Sequence, residues 1–375
     1  MTQGKPNFDT KDSLTLKGMA ILAISFHNYF HLLSRVHENE FDFSQQRLFA
    51  YLASFGTPQR ILSTSFSFLG HYGVQIFVFL SAYGLALKYW SDEPWLQFVG
   101  GRIRKLYPMF LLAIGLWALW VGLVRGPFGP IEVLWRQGTV LLLTLTGLLN
   151  IVPWHRQLPV GPWWFMPFIM QLYCLWPFLR RIVRRFGAPG LCALSVISLG
   201  LTYALNDTLA AHWSVSILQT PIGHLPECCL GIAMARFGYR PGRVAAAVAA
   251  AVFILGNLLH QFWLLSFISG LILMIWLYLQ FRPALRRCRP LAQVGGYSTA
   301  IFLVNGFVRL PFVLVAARTG LWYVRLLFGV ESASMALAVA LLMTVTAGML
   351  SRARAGEPLE MGFPRPYHSP GAAAA

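Results

Sequence analysis

Charge is what this chain has least of. Charged residues occupy 11% of its 375 positions, against about 25% in a soluble domain, and only 13 residues are acidic. That scarcity excludes an ordinary soluble globular domain. Cysteine is sparse as well. Cys174, Cys192, Cys228, Cys229 and Cys288 form no C-x-x-C or zinc-type spacing, so neither a disulfide framework nor a structural zinc module is expected. Four of the five lie in apolar stretches and read as small packing residues. The chain has no H-E-x-x-H, no glycine-rich phosphate loop and no G-x-S-x-G elbow, which argues against zincin, P-loop and α/β-hydrolase chemistry. No internal repeat is visible, which weighs against a transporter built from paired halves. The net charge of +17 suggests nucleic acid at first sight. The basic residues, however, fall in short runs at the ends of apolar stretches, as topology signals do, so no nucleic-acid partner is expected.

What is present is long apolar sequence. The chain is 57% hydrophobic, and eleven apolar segments can be drawn: 14–33, 70–88, 106–124, 139–152, 163–179, 191–206, 215–235, 244–260, 263–281, 296–316 and 333–350. Most are long enough for a helix across a bilayer about 30 Å thick. This predicts an all-α, polytopic membrane protein embedded in the lipid bilayer. Segment 139–152, at 14 residues, is too short for an untilted crossing. If it does not cross, 21 of the 30 lysines and arginines collect on one side. If it does cross, the bias collapses and both termini lie on opposite sides. The positive-inside rule therefore favours about ten transmembrane helices with both termini cytoplasmic, and a re-entrant or interfacial element at 139–152. Residues 1–13 become a cytoplasmic segment, 14–350 the membrane domain, and 351–375 a flexible cytoplasmic tail. The stretch 34–69 reads as an outer loop, marked by His37, Glu38, Glu40 and Asp42.

The first span carries the strongest chemical signal. His27 follows Lys17 by ten residues, about 15 Å along a helix, which places it near mid-bilayer. A polar group at that depth either hydrogen-bonds a neighbouring helix or does chemistry. His31 lies one turn further on the same face. Two histidines at i, i+4 are a metal-like pattern, but no third ligand stands in a recognised spacing, so no metal is expected. Among the carboxylates only Glu227, in Pro226-Glu227-Cys228-Cys229, falls deep within a span. It needs a partner there, and His27 and Lys17 are the candidates. A basic cluster, Arg102-Ile103-Arg104-Lys105, precedes the third span. It reads either as a topological anchor or as a clamp for phosphates, such as those of CoA. Ser81, Gln171, Asn305 and Arg309 are isolated polar residues in or near spans, each suited to inter-helix hydrogen bonding.

Five stretches then occur in a telling order. They are Leu16-Lys17-Gly18-Met19-Ala20 running to His27, Gly73-Val74-Gln75-Ile76-Phe77-Val78-Phe79-Leu80-Ser81-Ala82-Tyr83, Arg102-Ile103-Arg104-Lys105-Leu106-Tyr107-Pro108, Trp164-Phe165-Met166-Pro167-Phe168-Ile169-Met170-Gln171-Leu172-Tyr173, and Tyr297-Ser298-Thr299-Ala300-Ile301-Phe302-Leu303-Val304-Asn305. Together they resemble the acyltransferase-3 family of integral membrane O-acyltransferases. The departures mark a divergent member: Lys17 and Lys105 stand for arginines, Gln75 and Ile169 for acidic residues, and Asn305 for a histidine. The resemblance implies transfer of an acyl group, most often acetyl, from cytoplasmic acyl-CoA to a hydroxyl of an extracytoplasmic glycan or lipid-linked saccharide, at the cell inner membrane. It implies no permanently bound cofactor, with acyl-CoA as donor substrate. His27 would be the catalytic base, and Glu227 would take over the electrostatic role of the missing glutamate. Lys17, Arg102, Arg104, Lys105, Ser81, Gln171, Tyr173 and Asn305 would bind donor or substrate. The rival expectation is a transporter or flippase using His27 and Glu227 as a proton relay.

Overall fold

A computed structural model describes residues 7–34, 36–153 and 158–355. Most of the tail expected at 351–375, and the first six residues, lie outside the described residues. The described chain is helical with no strand. Its helices are α1 (Thr10–Phe30), α2 (Gln45–Ala53), α3 (Pro58–Leu69), α4 (Gly73–Lys88), α5 (Trp95–Arg125), α6 (Gly129–Thr146), α7 (Phe165–Trp213), α8 (Leu225–Arg236), α9 (Arg243–Leu258), α10 (Leu265–Arg287), α11 (Arg289–Gly296), α12 (Ser298–Val308), α13 (Leu310–Ala317) and α14 (Trp322–Ala355).

Five stretches are long and apolar enough to cross a membrane: Pro58–Lys88, Trp95–Arg125, Gly161–Trp213, Leu265–Arg287 and Trp322–Leu350. A sixth is added if α11 and α12, bent by 76°, count as one. Large apolar side chains cover the outside, Leu123 and Val244 each at 79% exposure, as lipid contact requires. This is a multi-pass membrane protein. Several expected segments differ in detail. α7 spans two of them, and Gly187 (φ 61°, ψ −142°) breaks it between a first arm and a second. Only glycine adopts that conformation without strain. Segment 215–235 is not one helix but two short 3-10 turns followed by α8. The outer loop 34–69 folds into α2 and α3, the latter started by Pro58 at its first position.

Segment 139–152 is the second half of a longer helix. α6 begins at Gly129-Pro130 and stops at Gly147, whose φ of 77° caps it. Its end lies against α5 and α7: Tyr107 donates to the Leu145 carbonyl, and Gln171 Nε2 donates to Gly147 O at 2.8 Å. By Asn150 the chain has returned to the start of α7, where Asn150 Nδ2 donates to Trp164 O at 3.0 Å. From Gln171 back to Trp164 is about 10 Å along the helix. After α6 the chain therefore runs back along the first arm of α7 toward its start.

α1 is the centre of the bundle. It packs on α3, α4, α11, α12 and α14. At its start Asp9 and Asp12 cap each other's backbone N–H groups in a capping box. Asp12 also accepts from Tyr278, Arg282 and Arg286 of α10, so the cap doubles as an anchor. Further along, Gly18 and Gly295 let α1 and α11 touch backbone to backbone. A Cβ on Gly18 would fall 1.9 Å from Leu291 O, and one on Gly295 1.8 Å from Leu14 O.

Candidate active site

Two cavities line one face of α1. The inner one, about 320 Å³, is bounded by Lys17, Lys88, Arg102, Tyr89, Tyr173, Ser81, Ser298 and Thr299, with Ile24, Val74, Phe77 and Phe302 among its apolar walls. Three cations converge here, and no carboxylate is among the lining residues. Arg102 is held by aromatics: Nη2 donates to Tyr173 Oη at 2.9 Å, and the guanidinium lies 4.6 Å from the Tyr173 ring centre and 5.4 Å from that of Tyr89. With no carboxylate partner among the described residues, the trio makes a cavity suited to a polyanion.

The outer cavity, about 560 Å³, is lined by His27, His31, Glu38, Glu40, His71, Asn28, Gln137, Trp164, Gln219 and Arg309. It shares Ile24, Val74 and Phe302 with the inner cavity, so the two meet there. Positions 17, 24, 27 and 31 recur at helical spacing, and one face of α1 runs from the basic cavity to the histidines.

His27 is oriented by the last turn of α3. Its Nδ1 lies 3.2 Å from Phe66 O and 3.1 Å from Ser67 O, both acceptors. That contact assigns the proton to Nδ1 and leaves Nε2 with its lone pair free for proton abstraction. Gly70 permits the fit: a Cβ there would meet His27 Cβ at 2.6 Å and Ala23 O at 2.8 Å. The rings of His31 and His71 lie 5.6 Å and 5.9 Å from that of His27. His31 Nδ1 is 2.6 Å from Glu38 Oε2, an ion pair if the imidazole is protonated. Burial pushes the Glu38 carboxyl up, but the His31 hydrogen bond and neighbouring imidazolium charge outweigh it and hold it at about 2. Glu40 goes the other way: burial, reinforced by the Glu38 charge, raises it well above the usual range.

The structure supplies the third ligand-type group that spacing alone did not show. Ligand atoms of His27, His31 and Glu38 lie within 4.8 Å of one another. These three are the residues that could hold a cation. Zinc ligands sit about 2.0–2.2 Å from a shared ion and so stand further from each other than the 2.6 Å between His31 Nδ1 and Glu38 Oε2. The direct His31–Glu38 hydrogen bond fits a relay of protons more closely.

The remaining expected residues divide. Lys17, Arg102, Ser81 and Tyr173 line the inner cavity, although Ser81 Oγ donates to its own helix at Phe77 O. Arg104 and Lys105 are exposed and do not line it, because a helix turns Arg104 by about 200° from Arg102. Lys105 lies near the Tyr89 hydroxyl. Gln171 turns toward Gly147 and a separate groove that also holds Trp95 and Phe178. Asn305 is buried and lines neither cavity. Glu227 is 1% exposed, but its partner is neither His27 nor Lys17. His224, three residues earlier on the same turn, brings Nδ1 to 3.8 Å from Glu227 Oε2. The relay of His27 with Glu227 is therefore not assembled. Lys88, Glu38 and His71 were not picked out by the sequence, since only tertiary packing brings them to α1.

A family model described as an acyltransferase domain matches residues 14–351. Neither the curated proteins nor the solved structures gave a match to this chain.

Proposed function

The chain belongs to this acyltransferase family, and from that premise we propose that it transfers an acyl group, most simply acetyl, from cytoplasmic acyl-CoA to a hydroxyl of an extracytoplasmic glycan or lipid-linked saccharide. One observation carries the reading. A cavity with three unneutralised cations and a cavity with an oriented histidine meet at Ile24, Val74 and Phe302. Lys17, Lys88 and Arg102 hold the CoA phosphates, and the thioester end reaches the narrow junction. The acceptor enters the outer cavity. His27 Nε2 takes the proton from its hydroxyl as the oxygen attacks the thioester carbonyl. The tetrahedral intermediate collapses, the C–S bond breaks, and CoA leaves as a thiolate that takes up a proton on the inner side. The new imidazolium on His27 passes its proton toward His31, whose partner Glu38 stabilises the charge.

The topology in this proposal has ten crossings with both termini cytoplasmic, in the cell inner membrane. It counts α1, both arms of α7 and the α12–α13 pair as spans and keeps α6 re-entrant. Side-chain pairing supports the sidedness: Arg180 and Arg184 from the first arm of α7 both bind Asp92, at 2.9 and 2.7 Å, so the 180–185 run shares a side with the loop after α4. The test is mass spectrometry of envelope saccharides from cells with the wild-type gene, with His27→Ala, and with none. Ester groups lost in the last two but present in the first support the proposal. Unchanged acylation in His27→Ala protein that is inserted and folded removes His27 as the base.

A further inference from the structure

Arg309 stands at the junction of α12 and α13 and faces the outer cavity. Its Nε and Nη1 are shut off from solvent, yet neither has a hydrogen-bond partner among the described residues. No carboxylate of the described chain lies within ion-pair distance of it. Of the two acids in the same cavity, Glu38 is committed to His31 at 2.6 Å, and burial with the Glu38 charge raises the Glu40 carboxyl well above its usual range. A guanidinium enclosed without a counter-ion is costly in protein and more so at membrane depth. The partner it lacks is a ligand.

Position says what kind. Phe302, at the junction of the cavities, and Arg309 are seven residues apart and lie on nearly the same helix face. Arg309 is thus about 10 Å beyond the junction, whereas His27 is one turn, about 4.5 Å, beyond Ile24. The difference, roughly 6 Å along the corridor, is close to the breadth of one sugar ring. Asn28, Gln137 and Gln219 offer amides for hydroxyls, and Trp164 presents an aromatic wall against Phe41, with ring centres 5.7 Å apart. We infer that the acceptor is an acidic saccharide, whose anionic group pairs with Arg309 while a hydroxyl about one sugar ring away reaches His27. This rests on the acceptor entering the outer cavity as proposed above. The shared chemistry is an anionic oxygen group, a carboxylate or a phosphate.

Calorimetry on the full-length protein in nanodiscs, without any acyl donor, tests it with three probes: methyl glucoside, methyl glucuronide and methyl glucoside 6-phosphate. At least one anionic probe should bind wild type about tenfold or more tighter than the neutral glucoside, as one charge-assisted contact allows. Which of the two binds tighter identifies the group as carboxylate or phosphate. Arg309→Gln should erase the preference and leave glucoside affinity unchanged, and Arg309→Lys should retain part of it. Equal affinities of all three probes for wild type, no binding of either anionic probe, or a preference that survives in Arg309→Gln overturns the inference. The wild-type comparison alone can do so if the variants fail to fold. Because no donor is present, a preference seen in protein that transfers no acyl group would count against the catalytic reading and not against the anion site.

Discussion

Gly70→Ala is the most direct probe of how His27 is held. The added methyl would lie 2.6 Å from His27 Cβ and 2.8 Å from Ala23 O. Carbon atoms rest about 3.5–4.0 Å apart, so α1 and the turn before α4 must part by about 1 Å. One of the two neighbours is backbone, and neither is the tip of a flexible side chain, so rotation cannot relieve the contact. Overpacking of this kind costs about 1–3 kcal/mol of stability, which a multi-helix bundle can absorb. Catalysis is less forgiving: a displacement of about 1 Å in a reacting group can cost about 100-fold. Donor binding should be spared, because Lys17 is about 15 Å along α1 from His27. The assay is CoA release from acetyl-CoA by reconstituted protein supplied with envelope saccharide, alongside calorimetric CoA binding. Expected is a kcat about 100-fold lower with unchanged CoA affinity. Gly115→Ala, where a Cβ meets nothing within 4 Å, serves as control and should behave as wild type. A folded Gly70→Ala protein with kcat within about threefold of wild type would refute the reasoning, since that is well under 1 kcal/mol of barrier.

Three further outcomes are expected. Glu38→Gln should lower kcat by roughly 10- to 100-fold with CoA affinity unchanged, because His31 loses the carboxylate that supports its charge; activity should survive a chelator, and its loss on chelation with restoration by zinc would instead make His27, His31 and Glu38 metal ligands. Arg102→Ala should weaken CoA binding by about 10- to 150-fold, as loss of a charge-assisted phosphate contact does, whereas exposed Arg104→Ala should not; equal calorimetric affinities for wild type and Arg102→Ala would remove Arg102 from the donor site. Asp12, ahead of the apolar run, is pushed up by burial but held down to about 2, from 3.8, by Arg282, its capping partner Asp9 and Tyr278. A depressed carboxylate adds stability that is complete above 3.8 and lost as pH falls toward 2, so thermal unfolding in detergent should show that window in wild type and not in Asp12→Asn, which should also cost about 1–3 kcal/mol.

Periodicity and length reach the fold class because a bilayer sets helix length and leaves helices as the answer to backbone hydrogen bonding. They do not reach breaks. Gly187 splits α7 by a backbone angle that composition does not encode, and the half-polar faces of α2 and α3 are hidden behind the charges at 37–42. Residues on α1 were legible in the site because one helix face orders them without any tertiary knowledge. Arg102 and Tyr173 were legible as parts of motifs, and the bond between them is new. Glu38 was not legible as a site residue, since its place beside His31 depends on how the chain turns after α1. Glu227 drew attention because acids are rare in spans. His224, one turn earlier, was the available local partner, and an i, i+3 search would have found it.

The junction at Ile24, Val74 and Phe302 carries an electrical consequence. No charged side chain lies among these three, so an ion in the corridor meets an apolar barrier between two polar chambers. Moving one elementary charge through 100 mV takes about 2.3 kcal/mol. An acetyl group is uncharged both as a thioester and as an ester, and the phosphates of CoA stay with Lys17, Lys88 and Arg102. The proton that leaves the acceptor hydroxyl toward His31 and the proton that the CoA thiolate takes up lie on opposite sides of the junction, so each proposed transfer displaces one charge and responds to the membrane potential, although no free ion passes.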